Sequence, residues 1–372
     1  MTGLYIHIPF CERKCSYCAF YSEVSKDRNL QEKFFQALEK ELNGLPEDFL
    51  PETIFIGGGT PTAPDFQTLE KFFSAVAKAM ADRPNLGKFS PQEFSVEANP
   101  GTTDQQKLGL FKSAGVNRLS IGVQSFNFQC LETLGRIHSG EEAEATFRLA
   151  RAAGFENISI DLMFGIPGQT MNRLDADLDQ ALALGPEHVS IYNLMYEEGT
   201  PLTERGPARL DEELEREMYD RIRSRLQAAG FRHYEISNFA RPGFECAHNL
   251  LYWRGGEYLG CGPAAHSHWK GTRWANAADL DEYCMNGPSA ELRTGPRREF
   301  EETLDREAKA REMLVMGLRL IKGVEVSSNV WKKQRSCFQT LEKEGLLLIE
   351  NRHVRLSEGA LFVSDAVFEE LV

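Results

Sequence analysis

Six short apolar or β-branched runs alternate with longer helical patterns over the first 230 residues, and this alternation limits the chain to few architectures. Strands are expected at Leu4–Ile8, Thr53–Ile56, Glu93–Glu97, Arg118–Val123, Asn157–Phe164 and His188–Leu194. Helices are expected at Asn29–Asn43, Asp65–Ala81, Thr103–Ala114, Thr170–Leu184 and Asp211–Ala229, with helical stretches from Val123 to Ala153. Such a pattern builds parallel strands joined by crossover helices. Several strands are apolar on both parities, as when both faces are covered. Polar and glycine signals fall just past the strand ends: Gly57-Gly-Gly-Thr, Glu97-Ala-Asn-Pro, Gln124-Ser and Gly165-Ile-Pro-Gly. In parallel barrels and open sheets that edge carries the active site.

The first of these loops holds Cys11, Cys15 and Cys18 in the spacing C-x3-C-x2-C, with no fourth cysteine beside them. A four-iron cluster takes four thiolates, so three from one loop leave one iron open to another ligand. A structural zinc site would need a fourth ligand from His7 or from a distant residue. The eight cysteines are thinly spread outside this loop, and the start of the chain lacks a basic region and a long apolar run. Both features suit a reducing cytoplasm rather than a disulfide framework or a secreted protein.

The 372 residues carry 42 Lys and Arg against 55 Asp and Glu, a net charge of −13. That balance argues against a nucleic-acid surface, and no run is apolar enough to span a bilayer. Beyond Tyr234–Phe239, expected as a strand, a Gly-, Trp- and His-rich stretch runs from Gly243 to Trp274. Helices are then expected at Glu301–Leu320 and Val330–Glu344, and a hairpin from Leu346–Glu350 and His353–Leu356. This pattern suggests a winged-helix-like α+β domain. The expected divisions are 1–232, a core barrel; 233–295, a connecting region; and 296–372, the C-terminal domain.

The cysteine spacing on the first strand-to-helix loop resembles the radical S-adenosylmethionine superfamily. The resemblance implies a partial (β/α)6 barrel of TIM type. It also implies a [4Fe-4S] cluster on Cys11, Cys15 and Cys18, with S-adenosylmethionine chelating the fourth iron. One electron from the reduced cluster then cleaves the sulfonium to a 5′-deoxyadenosyl radical. By the same resemblance Gly57, Gly58, Gly59 and Thr60 meet the methionyl amino group, where glycine lets backbone approach a ligand. A phosphate loop fits poorly, because no Lys follows these glycines. Glu97, Gln124, Arg136 and Asp161 match family positions that hold the ribose and carboxylate, and Tyr5 joins the cofactor-binding set. Gly165–Thr170 is expected near the adenine.

The opening Leu4-Tyr-Ile-His-Ile-Pro-Phe-Cys and the stretch Glu312–Val324 resemble the branch that contains oxygen-independent coproporphyrinogen III oxidase. Two departures count against that decarboxylase. The oxidase has a further cysteine where this chain has Phe20, and a long N-terminal extension where this chain has ten residues before Cys11. The segment His248-Asn-Leu-Leu-Tyr-Trp253 resembles the heme-binding motif of heme chaperones in the same branch. His248 is therefore the expected axial heme ligand. His266, His268, Cys246 and Cys261 are further candidates near it. The resemblance implies transfer of heme to acceptor hemoproteins, respiratory enzymes among them. It also implies a reductant such as flavodoxin or ferredoxin.

Overall fold

The computed structural model describes residues 1–81, 90–285 and 296–371. The parallel strands are β1 (Thr2–Ile8), β2 (Thr53–Gly58), β3 (Glu93–Ala98), β4 (Arg118–Gln124), β5 (Ile158–Phe164) and β6 (His188–Asn193). Each pairs in parallel with the next, giving the consecutive order of a partial barrel. Nearly every position of β4 and β5 is buried. This follows when crossover helices cover one face and the barrel interior the other. Ile6, Ile54, Val96, Ile121, Ile160 and Ile191 belong to one continuous core.

The helices begin and end where side chains satisfy their free backbone groups. Ser139 and Glu142 form a reciprocal capping box at the start of Gly140–Ala152. Asp104, Thr170 and Asp211 each accept a backbone N–H at the start of the helix that follows. Gly135 and Gly185 close helices in the left-handed conformation.

The sheet extends past both barrel edges to twelve strands. Glu257–Cys261 pairs in parallel with β1, and antiparallel strands 266–269, 272–276 and 298–303 follow. At the other edge β6 pairs with Asn238–Ala240, which pairs with Arg232–Glu235. The single strand expected over Tyr234–Phe239 is thus a tight hairpin. One sheet carries both the barrel strands and the segment 233–276, and the boundary expected at 295 lies outside the described residues.

The helix expected from Glu301 begins later, at Arg306. Arg298–Thr303 is an edge strand exposed at every position, and its charged run lacks the apolar alternation that marks a strand. Charge along an edge strand also discourages further pairing. Asp305 then caps the helix, accepting from the N–H groups of Glu307 and Ala308 at 2.8 Å each. The helix expected over Val330–Glu344 is two, Ser328–Lys333 and Arg335–Lys343, parted at Gln334. The hairpin Leu347–Glu350 and His353–Leu356 turns through Asn351 and Arg352, both at positive φ, as its two-residue turn requires. With Val324–Glu325 it forms a three-stranded sheet, completing a winged-helix-like unit.

Glu41, on the helix Arg28–Asn43, ties the barrel to the sheet extension. Its carboxylate accepts from Gly262 N–H at 2.8 Å, Asn276 Nδ2 at 2.9 Å and Tyr283 OH at 2.5 Å. Burial pushes its pKa from 4.5 up to about 7. The folded chain therefore keeps this proton to about pH 7, while the unfolded chain loses it near 4.5. Stability from this group is full below 4.5 and falls as pH rises through that window. In Glu41→Gln this component of the pH dependence is expected to vanish, as measured by urea midpoints from pH 4 to 8. An unchanged profile would exclude Glu41 as its source.

Candidate functional site

The cysteine loop leaves the carboxyl end of β1 and is pinned on both sides. Gly59 N–H donates to Ile8 O at 2.8 Å, Thr60 N–H to Phe10 O at 2.7 Å, and Ser16 N–H to Leu134 O at 2.9 Å. Cys11, Cys15 and Cys18 are free and partly exposed. They line a cavity of about 450 Å³ together with Gly58, Gly59, Thr60, Glu97, Gln124, Arg136 and Asp161. Thr60 Oγ1 donates to Cys11 Sγ at 3.5 Å and Arg136 Nη1 to Cys15 Sγ at 3.4 Å. The Thr60 hydroxyl favours thiolate at Cys11, against its burial. Burial first, and the neighbouring cysteines after it, push the Cys11 and Cys18 thiols up, and a bound metal would favour thiolate instead. Soft sulfur donors select iron or zinc over magnesium or calcium.

No three His, Cys, Asp or Glu side chains among the described residues converge as they would on one metal ion. His7 is not free to complete a zinc site. Its Nε2 meets Tyr21 O at 2.9 Å and its Nδ1 meets Tyr5 OH at 3.1 Å, and burial pushes its pKa down to about 4.

Asn99 joins the polar wall, a role the sequence reading missed although the residue stands in the quoted Glu97-Ala-Asn-Pro. It donates from Nδ2 to Thr60 Oγ1 at 2.7 Å and accepts from Arg136 Nη2 at 2.7 Å. Arg136 also donates to Gly122 O at 2.6 Å. Gln124 reaches the cavity from a positive φ of 64°, a conformation that non-glycine residues adopt sparingly. Glu97 is pushed from 4.5 up to about 8, by burial first and then by the like charge of Asp161. Burial also raises Asp161, against hydroxyl donors on Ser120 and Ser159 at 3.0 Å. Phe20, Ile137 and Met195, exposed at 71, 56 and 61%, ring the opening of the same cavity.

Gly57 and Gly165–Thr170 are not among the residues that line this cavity. The space left by the three glycines is filled by the protein itself. A Cβ on Gly57 would meet Glu97 Oε2 at 2.9 Å, on Gly58 the His7 ring at 2.7 Å, and on Gly59 Phe10 O at 2.8 Å. Within Gly165–Thr170, Gln169 is buried and accepts from Ile166 N–H while Gly168 and Thr170 are exposed; Met163, Tyr192 and Asn193 also line the cavity.

Tyr5 and His248 border a second cavity of about 180 Å³ with Phe55, Arg118, Asn249 and Tyr252. Glu97, Ser120, Asp161 and Tyr192 line both cavities. Arg118 is fully buried, and its Nε and Nη1 have no hydrogen-bond partner within the protein. His248 sits on the helix Ala247–Trp253, which crosses the amino-terminal ends of β1, β2 and β3, opposite the cysteines. Glu93, at the start of β3, accepts from Ala247 N–H at 2.7 Å, His248 N–H at 3.2 Å and Cys246 Sγ at 3.3 Å. His248 is 1% exposed. Its Nδ1 lies 2.8 Å from Thr53 Oγ1 and its Nε2 2.8 Å from Tyr252 OH. Burial first, and Arg118 second, push its pKa down to about 3, so the imidazole is neutral. Edge-on ring contacts lead from His248 to Tyr252, Tyr258 and His268. Cys246 and Cys261 are buried in the protein, and His266 is exposed beside Phe300.

Residues 5–181 match the radical SAM superfamily model. Heme chaperone HemW of Bacillus subtilis is 39% identical, with 98% of this chain and 95% of that protein aligned. The chain belongs to the HemW family. Heme chaperone HemW of Lactococcus lactis is 33% identical over 100% of this chain and 97% of its own length. The solved coproporphyrinogen III oxidase HemN of Escherichia coli superposes with a TM-score of 0.85 over 100% of this chain and 89% of its own, at 21% identity. The fold is therefore that of the oxidase, while the sequence groups with the HemW proteins.

Proposed function

We propose that this chain is a heme chaperone that binds a [4Fe-4S] cluster, S-adenosylmethionine and heme, and passes heme to acceptor hemoproteins. One observation carries the proposal: the cysteine loop and the His248–Trp253 segment occur together in a chain 39% identical to a HemW protein across 98% of its length. Cys11, Cys15 and Cys18 would hold the cluster. The larger cavity would take the nucleoside cofactor, with Glu97 and Asp161 toward its ribose and Arg136 toward its carboxylate, pairings that charge and hydrogen bonding favour. When bound, these groups supply one-electron chemistry. The protein's part is to hold Arg136 through Asn99 and Gly122, to keep Glu97 and Asp161 apart from bulk water, and to offer an apolar rim. His248 would be the axial ligand to heme iron.

Among the described residues no helix is long and apolar enough to cross a membrane, and all eight cysteines are free. Both facts are compatible with the cytoplasmic location we propose, where a flavodoxin or ferredoxin would supply electrons. Respiratory hemoproteins are the acceptors we propose.

Anaerobic incubation of the reconstituted protein with hemin, and separately with coproporphyrinogen III, tests this. Hemin is expected to bind one per chain and be recovered intact, with no decarboxylation of coproporphyrinogen. Vinyl products would establish the oxidase instead. In His248→Ala, hemin affinity is expected to fall about tenfold or more, with loss of the histidine-ligated spectrum. Unchanged affinity and spectrum would remove His248 from the site.

A further inference from the structure

We infer that Arg118 is a positioning residue for the cofactor site: from inside the barrel it supplies the fixed positive charge behind Glu97 and Asp161 and keeps both as carboxylates. The inference rests on the cofactor reading above and gives a role to a residue which that reading leaves out.

Strand register places the three groups. Arg118, Ser120 and Gly122 alternate along β4 and share one face. Arg118 stands beside Ser95, and Ser120 stands beside Glu97, one layer nearer the cysteine end. Asp161 stands beside Gly122, one layer further on. Glu97 and Asp161 line both cavities, whereas Arg118 lines only the one of about 180 Å³. The arginine therefore reaches the two carboxylates from the side away from the cysteines.

Hydrogen bonds hold the carboxylates but do not supply their counter-charge. Glu97 accepts from Gly58 N–H at 3.2 Å. Asp161 accepts from the hydroxyls of Ser120 and Ser159 at 3.0 Å each. Arg136, the other guanidinium of the site, is engaged with Cys15, Asn99 and Gly122. Arg118 is the cation that opposes protonation of both Glu97 and Asp161. It is fully buried, and its Nε and Nη1 find no hydrogen-bond partner in the protein. A buried charge persists where opposite charge and polar partners answer it. Water suits the remaining donors, because this cavity is walled by Ser120, Ser190 and Tyr192 and has room for several molecules.

The groups around Arg118 narrow the choice of counter-charge. Cys246, His248, Tyr234 and His188 face it, and burial keeps each of them neutral. Glu93 and Asp161 remain, and Glu93 is turned toward the backbone of Ala247 and His248. Around the carboxylates, burial likewise keeps Tyr5, Tyr17 and Tyr192 neutral. Without Arg118, Glu97 and Asp161 would be two buried like charges, and such a pair retains a proton. A ribose hydroxyl would then meet a donor where it needs an acceptor.

Anaerobic calorimetric titration of the reconstituted full-length protein with S-adenosylmethionine, at pH 7 and at pH 9, tests this. Arg118→Met keeps an unbranched stem and removes the charge. Arg118→Lys keeps a cation of shorter reach. In Arg118→Met, affinity at pH 7 is expected to fall about tenfold or more, the scale of one nearby opposite charge, and to recover in part at pH 9. Arg118→Lys is expected to lie between wild type and Arg118→Met at pH 7 and to match wild type at pH 9. Circular dichroism and iron content establish that the variants are folded. Affinity within about twofold of wild type at pH 7 in Arg118→Met overturns the inference. So does a loss of equal size at both pH values in either variant, which is the mark of a merely structural residue. Should Arg118→Met not fold, Arg118→Lys decides by the same comparison. If wild type itself binds no S-adenosylmethionine, the cofactor reading fails first, and the role of Arg118 falls with it.

Discussion

Replacing Cys11, Cys15 and Cys18 together with alanine is expected to leave a folded chain that holds no iron. Wild type reconstituted without oxygen should carry about four irons and four sulfides per chain; the variant should carry none and be colourless. The folded state should survive because no cysteine of the loop belongs to the buried core. The loop is instead held by backbone hydrogen bonds from Gly59, Thr60 and Ser16, which side-chain truncation leaves in place. Urea unfolding of the apo forms should therefore differ by less than about 1 kcal/mol. Stoichiometric iron and sulfide in the triple variant would refute the cluster assignment, whatever the fold.

Glu93→Ala is expected to be the most damaging single change at the opposite end of the barrel, costing about 3 kcal/mol. Glu93 is buried at the start of β3. It accepts from two backbone N–H groups and one thiol of the segment Cys246–His248, and from Ser95 Oγ at 3.2 Å. Alanine leaves those donors facing an apolar gap, and each buried unsatisfied group costs about 1–3 kcal/mol. The segment itself supplies no substitute, because Cys246 at its N-cap makes no side-chain capping bond. Glu93→Gln retains one acceptor oxygen and should lose about half as much. Denaturant midpoints on heme-free protein measure both. A change below about 0.5 kcal/mol in Glu93→Ala would mean that the helix is held by apolar packing alone.

The barrel was legible because its strands are apolar runs bounded by turn residues and its helices carry local caps. The expected bounds of β1–β6 fall within two residues of those observed. The cysteine loop and most of the polar wall were legible for a different reason: in parallel sheets the carboxyl strand ends converge, so residues just past them meet. That rule places Cys11, Gly58, Glu97 and Gln124 together without further knowledge. It cannot find Asn99, whose part depends on two partners 39 and 37 residues away in the chain. Nor does it locate His248, which follows no barrel strand. A helix folded back across the strand starts is a long-range event, and its histidine meets Thr53 and Phe55 from a distant strand as well as Tyr252 on its own helix. The edge strand Arg298–Thr303 escaped notice for want of an apolar face.

The strand β1 touches both ends of this machinery. Its second residue, Gly3, lies against the His248 imidazole, and the loop that follows its last residue, Ile8, carries the three cysteines. Seven residues of extended chain span about 23 Å, and the strand is paired along both edges. In the function we propose, heme at the floor and cofactor at the mouth would both bear on this one strand. If filling one site alters affinity at the other, thermodynamics requires the reverse effect to be of equal size. Under that reading the strand is the part both sites share, and the loading of the cysteine loop would alter the grip of the far end through it.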